Sequence, residues 1–287
     1  MVSMNYMIMR KRQKVLLYLA SRLKAQKRQV SRTYLNKLLF VLGKESEICK
    51  SVRFYNFYPH LYGPFSSQLY LDIADLQSRA YLDNKLNPRM NDDEIAELVG
   101  EKVAVIVDAT MERFLSDNTM DYVYEKYPEY TSRSLPKKHN DMEKDPGLFS
   151  IGYEGHDIDS FLDVLIQNQI QLIADLRYNP FSMNTVFTKS KLIYYLENVG
   201  IGYLHVPELG IDGKYRKNLD SDTDYRKLFA FYSESILPYQ KEKVVEIAEK
   251  GSRSRVAMMC FEHDKDHCHR GVVSNELERD SFKVNHL

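Results

Sequence analysis

The stretch Arg255–Arg270, RVAMMCFEHDKDHCHR, passes from a strongly apolar strand, Arg255–Phe261, into a polar loop that carries Glu262, His263, His267, Cys268, His269 and Arg270. Working outward, Leu148–Ile151 is a short apolar strand ended by Gly152-Tyr153-Glu154-Gly155, and Asp157 caps a helix to about Gln167. Gln171–Leu176 is the next strand, Lys189–Asn198 a helix, and Tyr203–Val206 a strand. Tyr225–Lys250 makes one or two helices, Val272–Glu278 another, and Phe282–His286 a closing strand. Five strands alternating with helices predict a parallel sheet with helices on both faces, because right-handed crossovers leave little else. The fold class is therefore α/β, with this domain occupying 148–287.

In such sheets ligands bind beyond the carboxyl ends of the strands. The first strand ends in Tyr153 and Glu154; the second ends in Asp175 and Arg177, with Asn179-Pro180 turning the chain. The third ends in Pro207-Glu208-Leu209-Gly210 and the fourth in Cys260 and Glu262. Two chemistries compete for this rim. In one, Cys268 is a nucleophile, its thiolate favoured by the helix that starts near Val272 and by Arg270. His269 or His267 then moves protons, and Glu262 and Glu208 serve as acid or base. Arg177 and Arg270 hold a phosphate or carboxylate, and Tyr153, Glu154, Asp175 and Asn179 complete the substrate contacts. In the other, Cys260, Cys268 and His269 bind zinc or iron, with an acidic residue or water completing the site, although a spacing of eight from one cysteine to the next is not a standard ligand interval.

Each residue has a plainer reading. Cys260 ends an apolar strand and reads equally as a small buried hydrophobe. Asp175 with Arg177, and Glu262 with Arg270, read as structural ion pairs. Asn179-Pro180 reads as a turn, and Tyr194, Tyr195, Tyr225 and Tyr232 as helix faces.

The C-terminal half resembles the bacterial and archaeal family catalogued as domain of unknown function 488. The resemblance rests on Gly152-Tyr153-Glu154-Gly155, then Asp175, Arg177 and Pro180, then Phe187 with Lys189, then Pro207, Leu209 and Gly210, and finally Cys260, Glu262 and Cys268-His269-Arg270. It implies a fold and an active site but no established reaction. His263 and His267 are extra to the pattern and mark either a metal or a polar loop.

The N-terminal half, 1–130, is mainly helical, with 131–147 as a polar linker. Met9 to about Ala25 is an amphipathic helix, and Ser31 caps a second helix that ends near Gly43. Phe54–Tyr62 is a strand broken by Gly63-Pro64, and Ser66 opens a helix to about Arg79. Tyr81–Leu86 is a further short strand, while Asn91–Leu98 and Met111–Tyr127 are helices. Helices with a small hairpin suggest a winged-helix-like unit. The third helix carries Asp72 and Asp75 against Arg79 alone, which disfavours direct base readout. From Lys37-Leu38-Leu39-Phe40 through Tyr62-Gly63-Pro64-Phe65-Ser66 to Leu69-Tyr70, this half resembles antitoxin-like domains of the Panacea type.

The chain's 40 basic and 40 acidic residues balance, yet the first fifty hold 12 Lys or Arg against Glu45 and Glu47 alone. Such an end suits a phosphate-contacting surface, or simply solvates two helices. No apolar run approaches the roughly 20 residues of a membrane span. No leader peptide is expected, and three cysteines without framework spacing fit a reducing compartment, the cytoplasm. The expected function is an enzyme acting on a phosphate-bearing compound, a nucleotide or nucleic acid, with the basic half recruiting that substrate or a protein partner. Two alternatives stand beside it: a non-catalytic regulator whose α/β half senses a ligand or metal, and a structural zinc module.

Overall fold

The structure, a computed structural model, describes residues 9–26, 31–115, 119–134, 145–216 and 221–287. Contacts divide the chain into two units, Met1–Asp141 and Met142–Leu287. Of the linker expected at 131–147, residues 135–144 lie outside the described residues. No helix among the described residues is long and apolar enough to cross a membrane.

The N-terminal unit is dominated by helices: α1 (Lys11–Ala25), α2 (Arg32–Glu45), α3 (Ile48–Ser51), α4 (Ser67–Ser78), α5 (Asp92–Val99), α6 (Glu101–Leu115), α7 (Thr119–Lys126) and α8 (Pro128–Thr131). Polar side chains start three of them, as Ser31, Ser66 and Asn91 accept from the amides of Tyr34, Leu69 and Glu94. Leu16, Leu19, Leu39, Phe40 and Leu69 are fully enclosed in one core.

Between α3 and α4 lies a hairpin, β1 (Tyr58–His60) and β2 (Gly63–Phe65), in which Pro59 faces Pro64. Gly63-Pro64 was expected to end a strand and instead belongs to β2; a two-stranded ribbon has free edges on which prolines lose no ladder bond. Gly63 takes φ +87°, and a Cβ there would lie 2.7 Å from Lys37 Nζ. That ammonium is buried and donates to the carbonyls of Tyr62 and Pro64. Two other expectations need correction. Tyr81–Leu86 forms only an isolated bridge, Leu82 to Pro88, and of the expected helix Met111–Tyr127 the described residues up to Lys126 fall in α6 and α7, with 116–118 outside the described residues. Asp72, read as opposed by Arg79 alone, is buried against Arg12 at 2.6 Å and Arg10 at 3.4 Å from the start of α1. The single Asp72 carboxylate thus offsets one unit of the basic charge counted in the first fifty residues, chiefly that of Arg12.

The C-terminal unit alternates β3 (Gly147–Gly152), α9 (Ile158–Gln167), β4 (Leu172–Asp175), α10 (Lys189–Asn198), β5 (Gly202–His205), α11 (Asp222–Ser235), α12 (Lys241–Gly251), β6 (Arg255–Cys260), α13 (His269–Arg279) and β7 (Val284–His286). All pairings in its sheet are parallel, in the order β5-β4-β6-β3-β7. The α/β expectation and its five strands stand, and the broad Tyr225–Lys250 segment is two helices. Alternation along each strand sends Leu148, Ala174, Val256 and Met258 into a core with Leu228 and Tyr232 of α11, Ile247 of α12 and Val273 of α13. Phe149, Ile151, Ile173, Ala257 and Met259 face the opposite side, so the central strands are apolar on both faces.

Candidate active site

The central neighbours β4 and β6 send their connections in opposite directions, β4 outward to β5 and β6 back past β3 to β7. A doubly covered sheet leaves a crevice where that reversal occurs. A cavity of about 420 Å³ opens there, with Tyr153, Arg177, Arg216, Cys260, Phe261 and His269 among its lining residues.

Backbone bonds from Tyr153 to Cys260 (3.2 Å) and from Glu154 to Phe261 (2.8 Å) carry the β3–β6 pairing into the rim. This crossing requires Gly152, because a Cβ there would lie 1.8 Å from the Glu262 carbonyl oxygen. The Tyr153 ring stacks on Phe187 at 4.3 Å between centroids and meets Phe261 edge-on.

Asp175, at the end of β4, is wholly buried and bound in a two-pronged pair, receiving Arg177 Nε at 2.8 Å and Nη2 at 2.6 Å. Arg177 Nη1 spans the Tyr153 hydroxyl and the Phe187 carbonyl. Burial disfavours the guanidinium charge, but Asp175 outweighs it and holds the pKa above the ordinary arginine value.

The chemistry-bearing groups meet where β6 ends and α13 begins. Cys260 Sγ lies 3.8 Å from His269 Nδ1, and Cys268 Sγ 4.0 Å from the same nitrogen. His269 Nε2 donates to the Leu176 carbonyl at 3.2 Å, while Nδ1 accepts from Arg216 Nη2 at 3.1 Å. These two contacts together describe a neutral imidazole with its proton on Nε2. Arg216 Nη1 also donates to Glu262 Oε1 at 2.9 Å, and the Cys260 thiol donates to Glu262 Oε2 at 3.4 Å. Burial alone would raise the Glu262 pKa, but Arg216 and further hydrogen bonds hold it below the usual carboxylate range. The Arg216 Nε–H is buried without an acceptor among the described residues.

The expected residues divide. Tyr153, Arg177, Asn179, Cys260 and His269 line the cavity, and Glu262 adjoins it through Cys260 and Arg216. Arg177 lines it as the structural partner of Asp175, and so the pair takes its plainer reading. Arg270 is a correction: it is 2% exposed and spends its Nη atoms on the Glu262 and His263 carbonyls, bracing the loop instead of facing a ligand. Its neighbour was misread as well. Cys268 is 1% exposed and not among the cavity's lining residues; burial pushes its thiol well up, Cys260 adds to this and His269 opposes both. Desolvation thereby exceeds the helix-terminus effect that had suggested a thiolate.

Glu208 is exposed in the turn Pro207–Leu209 and is not among the lining residues, and Glu154 is exposed and accepts from the His263 amide at 2.9 Å. His267 pairs with Asp264 and Asp222 at the surface, and His263 is exposed, so the two extra histidines belong to a polar loop. Arg216 was missed. It stands 46 residues from Glu262 and 53 from His269, in a loop without periodic signal. Tyr232 builds a helix face as expected, its hydroxyl on the Leu209 carbonyl at 2.8 Å and its ring edge-on to His269.

Residues 157–277 match Domain of unknown function DUF488. The DUF488 segment runs from the cap of α9 to the last turn of α13 and takes in Asp175, Arg177, Arg216, Cys260, Glu262, Cys268 and His269. No curated protein and no solved structure matches the chain.

Proposed function

We propose that the DUF488 segment is an enzyme acting on a phosphate-bearing compound of the nucleotide class, bound in the cavity at the carboxyl ends of β4 and β6. The observation that carries this reading is the Nε–H of Arg216, a buried cationic donor on the cavity wall without an acceptor among the described residues. A group in that condition is satisfied by an anionic oxygen. Around it the aromatic rings of Tyr153, Tyr178, Phe181 and Phe261 suit a planar base, and Asn179, Ser182 and Asn184 supply polar contacts. The volume of about 420 Å³ falls in the range of small-molecule sites. Cys260 and His269 face the same space, which puts the reacting end of the substrate against them. The basic N-terminal residues would raise the local concentration of an anionic substrate such as nucleic acid.

The test exposes the full chain to nucleosides, nucleoside mono-, di- and triphosphates and short oligonucleotides, with thermal shift for binding and mass spectrometry for turnover. Phosphorylated members should bind more tightly than the bare nucleosides, Arg216→Gln should erase that preference, and Cys260→Ser should stop turnover while binding persists. Equal binding of nucleosides and nucleotides would remove the phosphate argument. Binding without any turnover would favour the non-catalytic sensor.

A further inference from the structure

The cluster behind the cavity floor has more soft donor atoms than nucleotide binding needs. Cys260 Sγ, Cys268 Sγ and His269 Nδ1 all lie within 4.8 Å of one another, and all three residues are buried. We infer that they are the protein ligands of a zinc-class divalent cation whose fourth position opens on the cavity.

The distances support this directly. Metal–sulfur and metal–nitrogen bonds of about 2.3 and 2.0–2.1 Å in a tetrahedron imply ligand-to-ligand edges of roughly 3.6 Å. The two sulfur–nitrogen separations are 3.8 and 4.0 Å, so small side-chain rotations close the site. The imidazole is already oriented. Its Nε2–H is anchored on the Leu176 carbonyl, which turns the Nδ1 lone pair toward both sulfurs, as outer partners of metal-bound histidines do. Two thiols and an imidazole favour zinc over harder ions such as magnesium or calcium. On binding, both thiol protons leave to solvent, and two thiolates with a neutral imidazole balance the dication.

The opening faces the substrate space. Cys260 and His269 line the cavity, whereas Cys268 closes the cluster from behind. Three protein ligands with one free position is the arrangement of catalytic zinc, not of a closed structural site. Glu262, with Oε2 at 3.4 Å from Cys260 Sγ, stands beside that position as a proton acceptor. Arg216 donates to both Glu262 and His269 Nδ1, so the guanidinium must release the imidazole when the cation enters.

The site stands on ligand geometry and deepens the enzyme reading above, so its test avoids turnover. The reduced full chain is loaded with zinc, desalted and analysed for metal content; a parallel sample carries cobalt(II) and is examined for thiolate-to-cobalt charge-transfer absorption. One equivalent per chain is expected, with the charge-transfer band weakened in Cys260→Ser and in Cys268→Ser and the equivalent lost in His269→Ala. Circular dichroism checks that each variant is folded. Arg216→Gln should bind zinc at least as tightly as the parent, since a competing cation is gone. A content well below one equivalent in the folded, reduced parent would overturn the site. So would a full equivalent retained by all three ligand variants, which would place the metal elsewhere, for instance on His267 and Asp264. A full equivalent that depends on these ligands, with no turnover of any tested compound, leaves the metal site standing and removes the enzyme reading.

Discussion

Replacing Asp175 with Asn tests whether the rim's most buried ion pair is scaffold or substrate contact. The carboxylate has no solvent exposure and accepts Arg177 Nε and Nη2 at 2.8 and 2.6 Å, the Arg177 amide at 3.1 Å and the Tyr203 hydroxyl at 2.7 Å. An amide in its place retains one acceptor and points N–H groups at donors, which strands a guanidinium that is 6% exposed. Breaking a buried pair from one side costs about 3–5 kcal/mol. With a urea dependence of roughly 2 kcal/mol per molar, the midpoint for the C-terminal unit should fall by about 2 M. Equilibrium urea unfolding of the full chain, followed by amide hydrogen exchange in β4 and β6, isolates that transition. Adding Arg177→Met removes the stranded charge, and the double variant should recover a large part of the loss. A single-variant loss below about 1 kcal/mol, or strict additivity in the double variant, would refute the scaffold assignment and return Asp175 to the list of ligand contacts.

Three further outcomes are expected. Burial holds Lys37 at about 8 against the ordinary 10.5, so the folded state releases its proton first and gains stability as pH rises through that interval. At roughly 1.4 kcal/mol per pH unit over that interval this amounts to about 3–4 kcal/mol, lost again as pH falls from 10.5 to 8; comparison with Lys37→Met isolates it, and a flat difference between pH 8 and 10.5 would contradict it. Gly152→Ala should cost at least about 1–3 kcal/mol and displace the loop bearing Glu262, because the new methyl meets its carbonyl; thermal melts and zinc content report the two effects. Asp157→Ala should lower stability by about 1 kcal/mol through loss of the bond to the Ser160 amide at 2.8 Å, and an unchanged melting temperature would deny the cap.

Much of the C-terminal architecture was readable before any coordinates. The runs at β3, β4 and β6 are apolar on both faces, and Lys189–Asn198 has the bounds of α10. The N-terminal hairpin was harder, since Gly63-Pro64 usually ends strands and here sits within one. At the rim, placing Cys260, Glu262 and His269 near Tyr153 and Arg177 followed from topology alone. Arg177 and Arg270 were read either as holding a phosphate or carboxylate or as ion-paired to Asp175 and Glu262; Asp175 does take Arg177, whereas Arg270 goes to the Glu262 and His263 carbonyls.

In the C-terminal unit the sequence by itself determined which segments are strands, that they run parallel, and which strand ends carry thiols, imidazoles and carboxylates, because periodicity and crossover handedness are local or nearly so. Only the tertiary structure decided which of those groups remain unspent. Cys260 rather than Cys268 faces the cavity, Arg216 rather than Arg270 reaches it, and His269 is turned by a carbonyl from the neighbouring strand. Burial and hydrogen-bond satisfaction depend on what packs against a side chain from distant parts of the chain, and no spacing of residues encodes that.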